Sequence, residues 1–212
     1  MAVKNLNELF EHEMKDIYYA EHRLLEALEE LASEAKDREM KRAYTSHRRE
    51  TQGQIKRLQK VFKMFGEAPE VEKCPGIEGL LKEKHDFKKK EKPSPEILEF
   101  FNLGAAAKTE RYEISAYESL INIADRIGMA DAVELLRQNL QEEMAALEKL
   151  MMMASEYDGT QLMQAEGEEA EGASSAKSSG ARSSRKGTSR NTASKGAVKK
   201  SSGSRTSRAA SE

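Results

Sequence analysis

Residues 67–93, EAPEVEKCPGIEGLLKEKHDFKKKEKP, decide the fold of this 212-residue chain. They separate two pairs of long amphipathic segments, and each pair closes on a short turn. Upstream, residues 5–36 carry an apolar stripe at Leu6, Phe10, Ile17, Leu24, Leu28 and Leu31. Residues 38–65 carry another at Met40, Tyr44, Leu58, Phe62 and Phe65, and both have the spacing of one helix face. Only a few residues around Asp37 join the two. Downstream, Ser94-Pro95 supplies an N-cap and a proline at the first position of a third helix that reaches Ile127. Gly128 then turns the chain into a fourth helix over 129–157, with Val133, Leu136, Leu140, Leu147, Leu150 and Ala154 on its apolar side. Each pair must be an antiparallel hairpin. A helix of about 30 residues is ~45 Å long, and the 67–93 connection, with a short helix expected at Gly76–Lys84, can travel that length. Two hairpins joined by one long crossover is the ferritin-like order, whereas an up-down-up-down bundle needs only a short connection here. The expected fold is therefore all-α, a ferritin-like four-helix bundle over residues 1–157.

The rest of the chain does not feed that core. Hydrophobic residues make up 38% and charged ones 34%, low and high for a soluble domain, and a charge split lies behind the net −2. Residues 172–212 hold Lys177, Arg182, Arg185, Lys186, Arg190, Lys195, Lys199, Lys200, Arg205 and Arg208 against the single acid Glu212, a balance of +9. Residues 1–171 then carry −11. With Val198 as its one large apolar residue, the tail cannot offset the ordering of its backbone and is expected to be disordered. Residues 158–171, with Glu166, Glu168, Glu169 and Glu171, are expected to form an acidic linker. A flexible polycation suits the phosphates of DNA, bound without reading bases and in a salt-sensitive way. The single Cys74 excludes an intramolecular disulfide and a thiolate metal cluster. No apolar run approaches the ~18 residues of a membrane span, and the N-terminus has no leader pattern. The expectation is a cytoplasmic protein without a membrane partner.

Each helix interrupts its own apolar stripe with polar groups. The first places Glu21 between Ile17 and Leu24; the second places His47, Glu50 or Thr51, and Gln54 between Tyr44 and Leu58. The third carries Glu110 and Glu113 between Ala106 and Tyr117, and the fourth Glu143 between Leu140 and Leu147. Glu21 lies 15 residues before Lys36 and Glu50 lies 14 after it; Glu113 lies 15 before Gly128 and Glu143 lies 15 after it. At ~1.5 Å per residue these carboxylates all sit ~21–23 Å from their turns, near mid-bundle. Carboxylates gathered in a low-dielectric core repel unless protons or cations neutralise them. Carboxylate and imidazole donors suit iron or manganese, and glutamates with a His on facing helices are the pattern of di-iron carboxylate bundles.

Four stretches carry a family resemblance: LNELFEHEMKDIYYAEHRLLEAL (6–28), YTSHRRETQGQIKRLQKVF (44–62), TERYEISAYESL (109–120) and LLRQNLQEEMAALEKL (135–150). Together they make the chain resemble the YciE/YciF-like ferritin-like proteins, a branch of the ferritin/rubrerythrin superfamily, over residues 4–157. The resemblance implies two iron ions, with manganese as the alternative, at a central site. The ligand positions it matches are Glu21, His47, Glu50, Glu110, Glu113 and Glu143. It also implies homodimers, a stress-linked role and ferroxidase-like oxidation of Fe(II). In this chain Leu147 stands where the family usually carries an acid, and Arg111 where it often has His, leaving Glu143 or Glu142 as the donor of the fourth helix. A second reading stays open, in which the protein is a non-enzymatic, DNA-associating stress protein whose bundle is a dimerisation scaffold.

Overall fold

A computed structural model describes residues 3–160 and 162–163. Among them are five helices and no strand: α1 (Leu6–Glu34), α2 (Arg38–Phe65), α3 (Pro75–Glu91), α4 (Pro95–Arg126) and α5 (Ala130–Ser155). The basic tail and the linker beyond Met163 lie outside the described residues.

Local chemistry sets the helix ends. Asn5 Oδ1 accepts from Glu8 N–H at 3.0 Å, and Asp37 Oδ1 accepts from the N–H groups of Glu39 and Met40 at 2.8 Å each. Ser94 Oγ accepts from Ile97 N–H at 3.3 Å with Pro95 behind it. These side chains satisfy amides that the first helical turn leaves unpaired. The turn from α4 to α5 depends on Gly128, whose φ of 78° is a conformation that a Cβ disfavours. The expected helix at Gly76–Lys84 is longer than anticipated and runs to Glu91 as α3. Its last turn carries Lys88, Lys89 and Lys90, which complement the negative end of the helix dipole.

α1 pairs with α2 and α4 with α5 as hairpins; α1 then packs on α4, α2 on α5, and α3 lies on α4 and α1. Charge fastens this crossover. The Lys84 ammonium, buried with its side chain, sits 3.2 Å from both Glu30 and Glu34 of α1, Lys88 pairs with Glu34, and His85 Nε2 is 3.1 Å from Glu30.

The bundle interior falls into two apolar clusters. One, at the end near the α4–α5 turn, includes Phe10, Met14, Ile17, Leu58, Phe62, Leu120 and Leu136. The other, near the α1–α2 turn, includes Leu28, Leu31, Met40, Tyr44, Leu103 and Leu150. Full burial of such side chains contributes about 1.5–3 kcal/mol each. Between the two lies a layer of buried polar residues, which is where the chain departs from the rule that cores are apolar.

Candidate metal centre

That layer is built from the interruptions seen in the stripes. Glu21 from α1, His47 from α2, Glu110 and Glu113 from α4, and Glu143 from α5 are all buried, with Glu21 and Glu143 fully inaccessible. Their side chains form two sets, His47–Glu110–Glu143 and Glu21–Glu113–Glu143, in each of which one donor atom per residue lies within 4.8 Å of the others. Glu143 belongs to both. His47 Nε2 is 3.2 Å from Glu110 Oε1 and 3.4 Å from Glu143 Oε2.

Glu50 stands apart. Its side chain is 45% exposed and its Oε2 lies 3.3 Å from His47 Nδ1, on the face of the ring opposite the two sets. The structure gives the buried position one residue on to Thr51, whose hydroxyl donates to His47 O at 3.0 Å. Glu142, the alternative donor on α5, is engaged by Arg57.

Leu147 and Arg111 also resolve. Leu147 lines a shallow outer groove with Ile114 and Met144, away from both sets. Arg111 turns outward, donating to Ala107 O at 2.9 Å and contacting Met151 Sδ. Neither residue belongs to either donor set. Glu143 is thus the one residue of α5 in either set, and it belongs to both.

Several residues hold the ring of acids in place without belonging to it. The Tyr117 hydroxyl donates to Glu21, and Gln54 Nε2 donates to Glu143. Asn139 Nδ2 donates to Tyr117 Oη at 2.9 Å, and its Oδ1 accepts from Arg57 Nε. In the sequence Gln54 is visible only as an interruption of the α2 stripe, and Asn139 carries no mark of its own. The missed signal was spacing: Asn139 lies four residues before Glu143, on the same face of α5.

Burial dominates the electrostatics. It raises the pKa of Glu21 to about 8, even though Tyr117 and His47 favour its charged form. Glu113 is pushed well up by burial and by its neighbours Glu143, Glu21 and Glu110. Burial likewise raises Glu143, with His47 opposing and Glu110 and Glu21 adding to the rise. For His47 burial alone would depress the imidazole, but Glu110, Glu50 and Glu143 outweigh it and hold the ring well above its ordinary value.

The residues fit a pair of cations. Glu21 Oε2, Glu110 Oε2, Glu113 Oε1 and Glu143 Oε2 are buried and accept no hydrogen bond, a state that costs about 1–3 kcal/mol or more for each such group. Four donor-free oxygens and one imidazole in two overlapping sets match the oxygen-rich, nitrogen-supplemented coordination of iron and manganese.

A bundle of two hairpins, bridged by a long crossover and carrying a layer of Glu and His at mid-height, is the ferritin-like class. The chain belongs to the DUF892 family, described as a domain of unknown function, whose profile matches residues 5–165. It is 32% identical over 155 residues to protein YciF of Escherichia coli (strain K12), covering 73% of this chain and 93% of YciF, which bears out the YciE/YciF-like resemblance. The crystal structure of the E. coli stress protein YciF superposes with a TM-score of 0.67 over 72% of this chain and 96% of that one. YcfI from Rhodopseudomonas palustris, 38% identical, superposes at 0.68 over 70% and 94%. A protein from Xanthomonas campestris pv. campestris, 20% identical, shares the fold at 0.59 over 71% and 92%. Among the described residues no helix is long and apolar enough to cross a membrane.

Proposed function

We propose that the protein is a di-iron carboxylate protein with ferroxidase-like activity and a role in stress protection. One observation carries this reading: the two donor sets that share Glu143, lined by carboxylate oxygens without a hydrogen-bond donor. In the proposal, His47, Glu110 and Glu143 hold one ion, and Glu21, Glu113 and Glu143 hold the other. A pair of ferrous ions held there supplies two one-electron oxidations, matching the two-electron reduction of dioxygen or peroxide. The chain's own contribution is positional. Gln54 and Tyr117 fix the rotamers of Glu143 and Glu21, the apolar clusters above and below exclude water, and Glu50 offers a solvent-facing carboxylate beside His47. The stress role rests on the relation to YciF.

Elemental analysis of the purified protein, followed by aerobic Fe(II) oxidation, tests the reading. About two iron or manganese ions per chain are expected in the wild type, with both lost in Glu143→Gln. Oxidation at the wild-type rate in Glu143→Gln would sink the assignment. The homodimer implied by the resemblance belongs to this proposal, with the outer groove of Ile114, Met144 and Leu147 as its surface; sedimentation velocity measures it.

A second reading rests on the +9 balance of residues 172–212. In it, the tail attaches the protein to DNA through phosphate contacts whose affinity falls steeply with salt. A gel-shift series comparing the full chain with one ending at residue 159 tests this, and unchanged affinity after truncation removes the tail from the account.

A further inference from the structure

A cavity of about 30 Å³ lies between α1, α3 and α4 and ends on the site. Leu24, Leu28 and Leu31 of α1, Leu80 of α3, and Ala105 and Ala106 of α4 wall it, and His47, Glu110 and Glu113 form its inner end. Leu80 and Ala105 are half-buried while Leu24, Leu28 and Ala106 are buried, so its outer end lies between α3 and α4. Two other polar side chains reach the wall, Thr109 and Lys84. The Thr109 hydroxyl donates to Ala106 O at 2.6 Å. The Lys84 ammonium brings a positive charge, held by Glu30 and Glu34.

This lining discriminates by charge and size. A divalent ion enters a protein with a shell of about six oxygens. Here the leucine and alanine wall offers nothing to replace that shell. Desolvating an ion without compensation costs several kcal/mol. The volume, by contrast, holds roughly two bodies the size of water, which need ~10–15 Å³ each by the same measure. A neutral diatomic molecule fits it, and a long organic substrate does not.

We infer that the α1–α3–α4 cavity is the seat and route of a small uncharged oxidant of dioxygen size. The inference rests on the di-metal reading and extends it by assigning the second reactant a place. α3 thereby acquires a function beyond connecting two hairpins, since Leu80 and Lys84 form the roof of the passage.

Crystals of the full chain held under xenon gas test the assignment, because dry apolar cavities take up xenon. Xenon is expected among Leu24, Leu28 and Ala106 in the wild type and absent in Ala106→Leu, which fills the space. Ala105→Phe, at the half-buried mouth, guards against misfolding of the first variant. In it the KM for dioxygen should rise several-fold, with kcat and metal content unchanged. A wild-type cavity free of xenon, or an unchanged KM for dioxygen in both folded variants, overturns the passage. Metal content measured on the same samples separates the claims: a wild type that takes up no iron or manganese overturns the di-metal reading and the passage with it, whereas full metal with no xenon overturns the passage alone.

Discussion

The side-chain amide of Gln54 donates to Oε1 of Glu143, and Oε2 of the same carboxylate faces His47 at 3.4 Å. An amide from α2 thus sets the orientation of the one acid shared by both donor sets. Partners of this kind typically contribute ten- to about a hundredfold to metal affinity. Replacing Gln54 by Leu should weaken Fe(II) or Mn(II) binding by that order while leaving the fold intact. Titration with metal under anaerobic conditions measures it, and wild-type affinity in the variant would show that Glu143 is oriented by other contacts.

The metal-free protein should lose stability as pH rises. Folding raises Glu21 to about 8 and moves Glu113 and Glu143 upward, from an unfolded value near ~4.3. Groups raised in this way bind protons more readily in the native state. Their contribution is complete below the unfolded pKa and disappears as pH climbs through the folded one. His47, also raised, acts in the same sense above its ordinary value. A lower Tm near pH 9 than near pH 6 is expected in the presence of chelator, and excess Mn(II) should narrow the gap, since cations take the place of the protons. A Tm that is level or increasing across that range contradicts the account.

Tyr117→Phe removes the hydroxyl that donates to Glu21 and accepts from Asn139. Both partners are fully buried, so the substitution strips one hydrogen bond from each. A loss of about 1–3 kcal/mol in urea denaturation of the metal-free protein is expected. Iron binding should suffer less than in Gln54→Leu, because Glu21 belongs to one donor set and Glu143 to both.

Gly76→Ala should be costly for a residue at the surface. A Cβ at Gly76 would lie 2.5 Å from Tyr112 Cε2 and 2.8 Å from its Oη. The ring cannot yield freely, because its hydroxyl donates to Asp16 at 3.1 Å and lies 2.9 Å from Cys74 Sγ. Overpacking of this kind costs typically about 1–3 kcal/mol. Thermal melts of the variant should fall accordingly, and Gly79→Ala, with open space around its Cβ, is the matched control.

Much of this architecture was legible before any coordinates. The α2 limits at Arg38 and Phe65 follow from Asp37 and Gly66, and the depth count brought Glu21, Glu113 and Glu143 to one level because helical rise is nearly constant. Glu50 was a different matter. His47-x-x-Glu50 has the spacing of a ligand pair, but the apolar stripe of α2 continues through Thr51 and Gln54, and burial follows the stripe. The charge of a glutamate drew attention to the wrong side of the ring. Asn139 and Arg57 were invisible for the opposite reason: an amide and a guanidinium that meet only across the α2–α5 contact carry no signal until the partner helix is in place. The length of α3 was hidden by its lysines, which look like a solvated run until Glu30 and Glu34 of α1 are brought alongside.

The double membership of Glu143 has a further consequence for how the site fills. On the proposed di-metal reading, a carboxylate that serves both positions couples their occupancies, so the two are thermodynamically linked rather than independent. Binding isotherms should then depart from a simple hyperbola. On that reading, the fraction of molecules holding a single ion at half saturation measures the coupling that the shared carboxylate sets up.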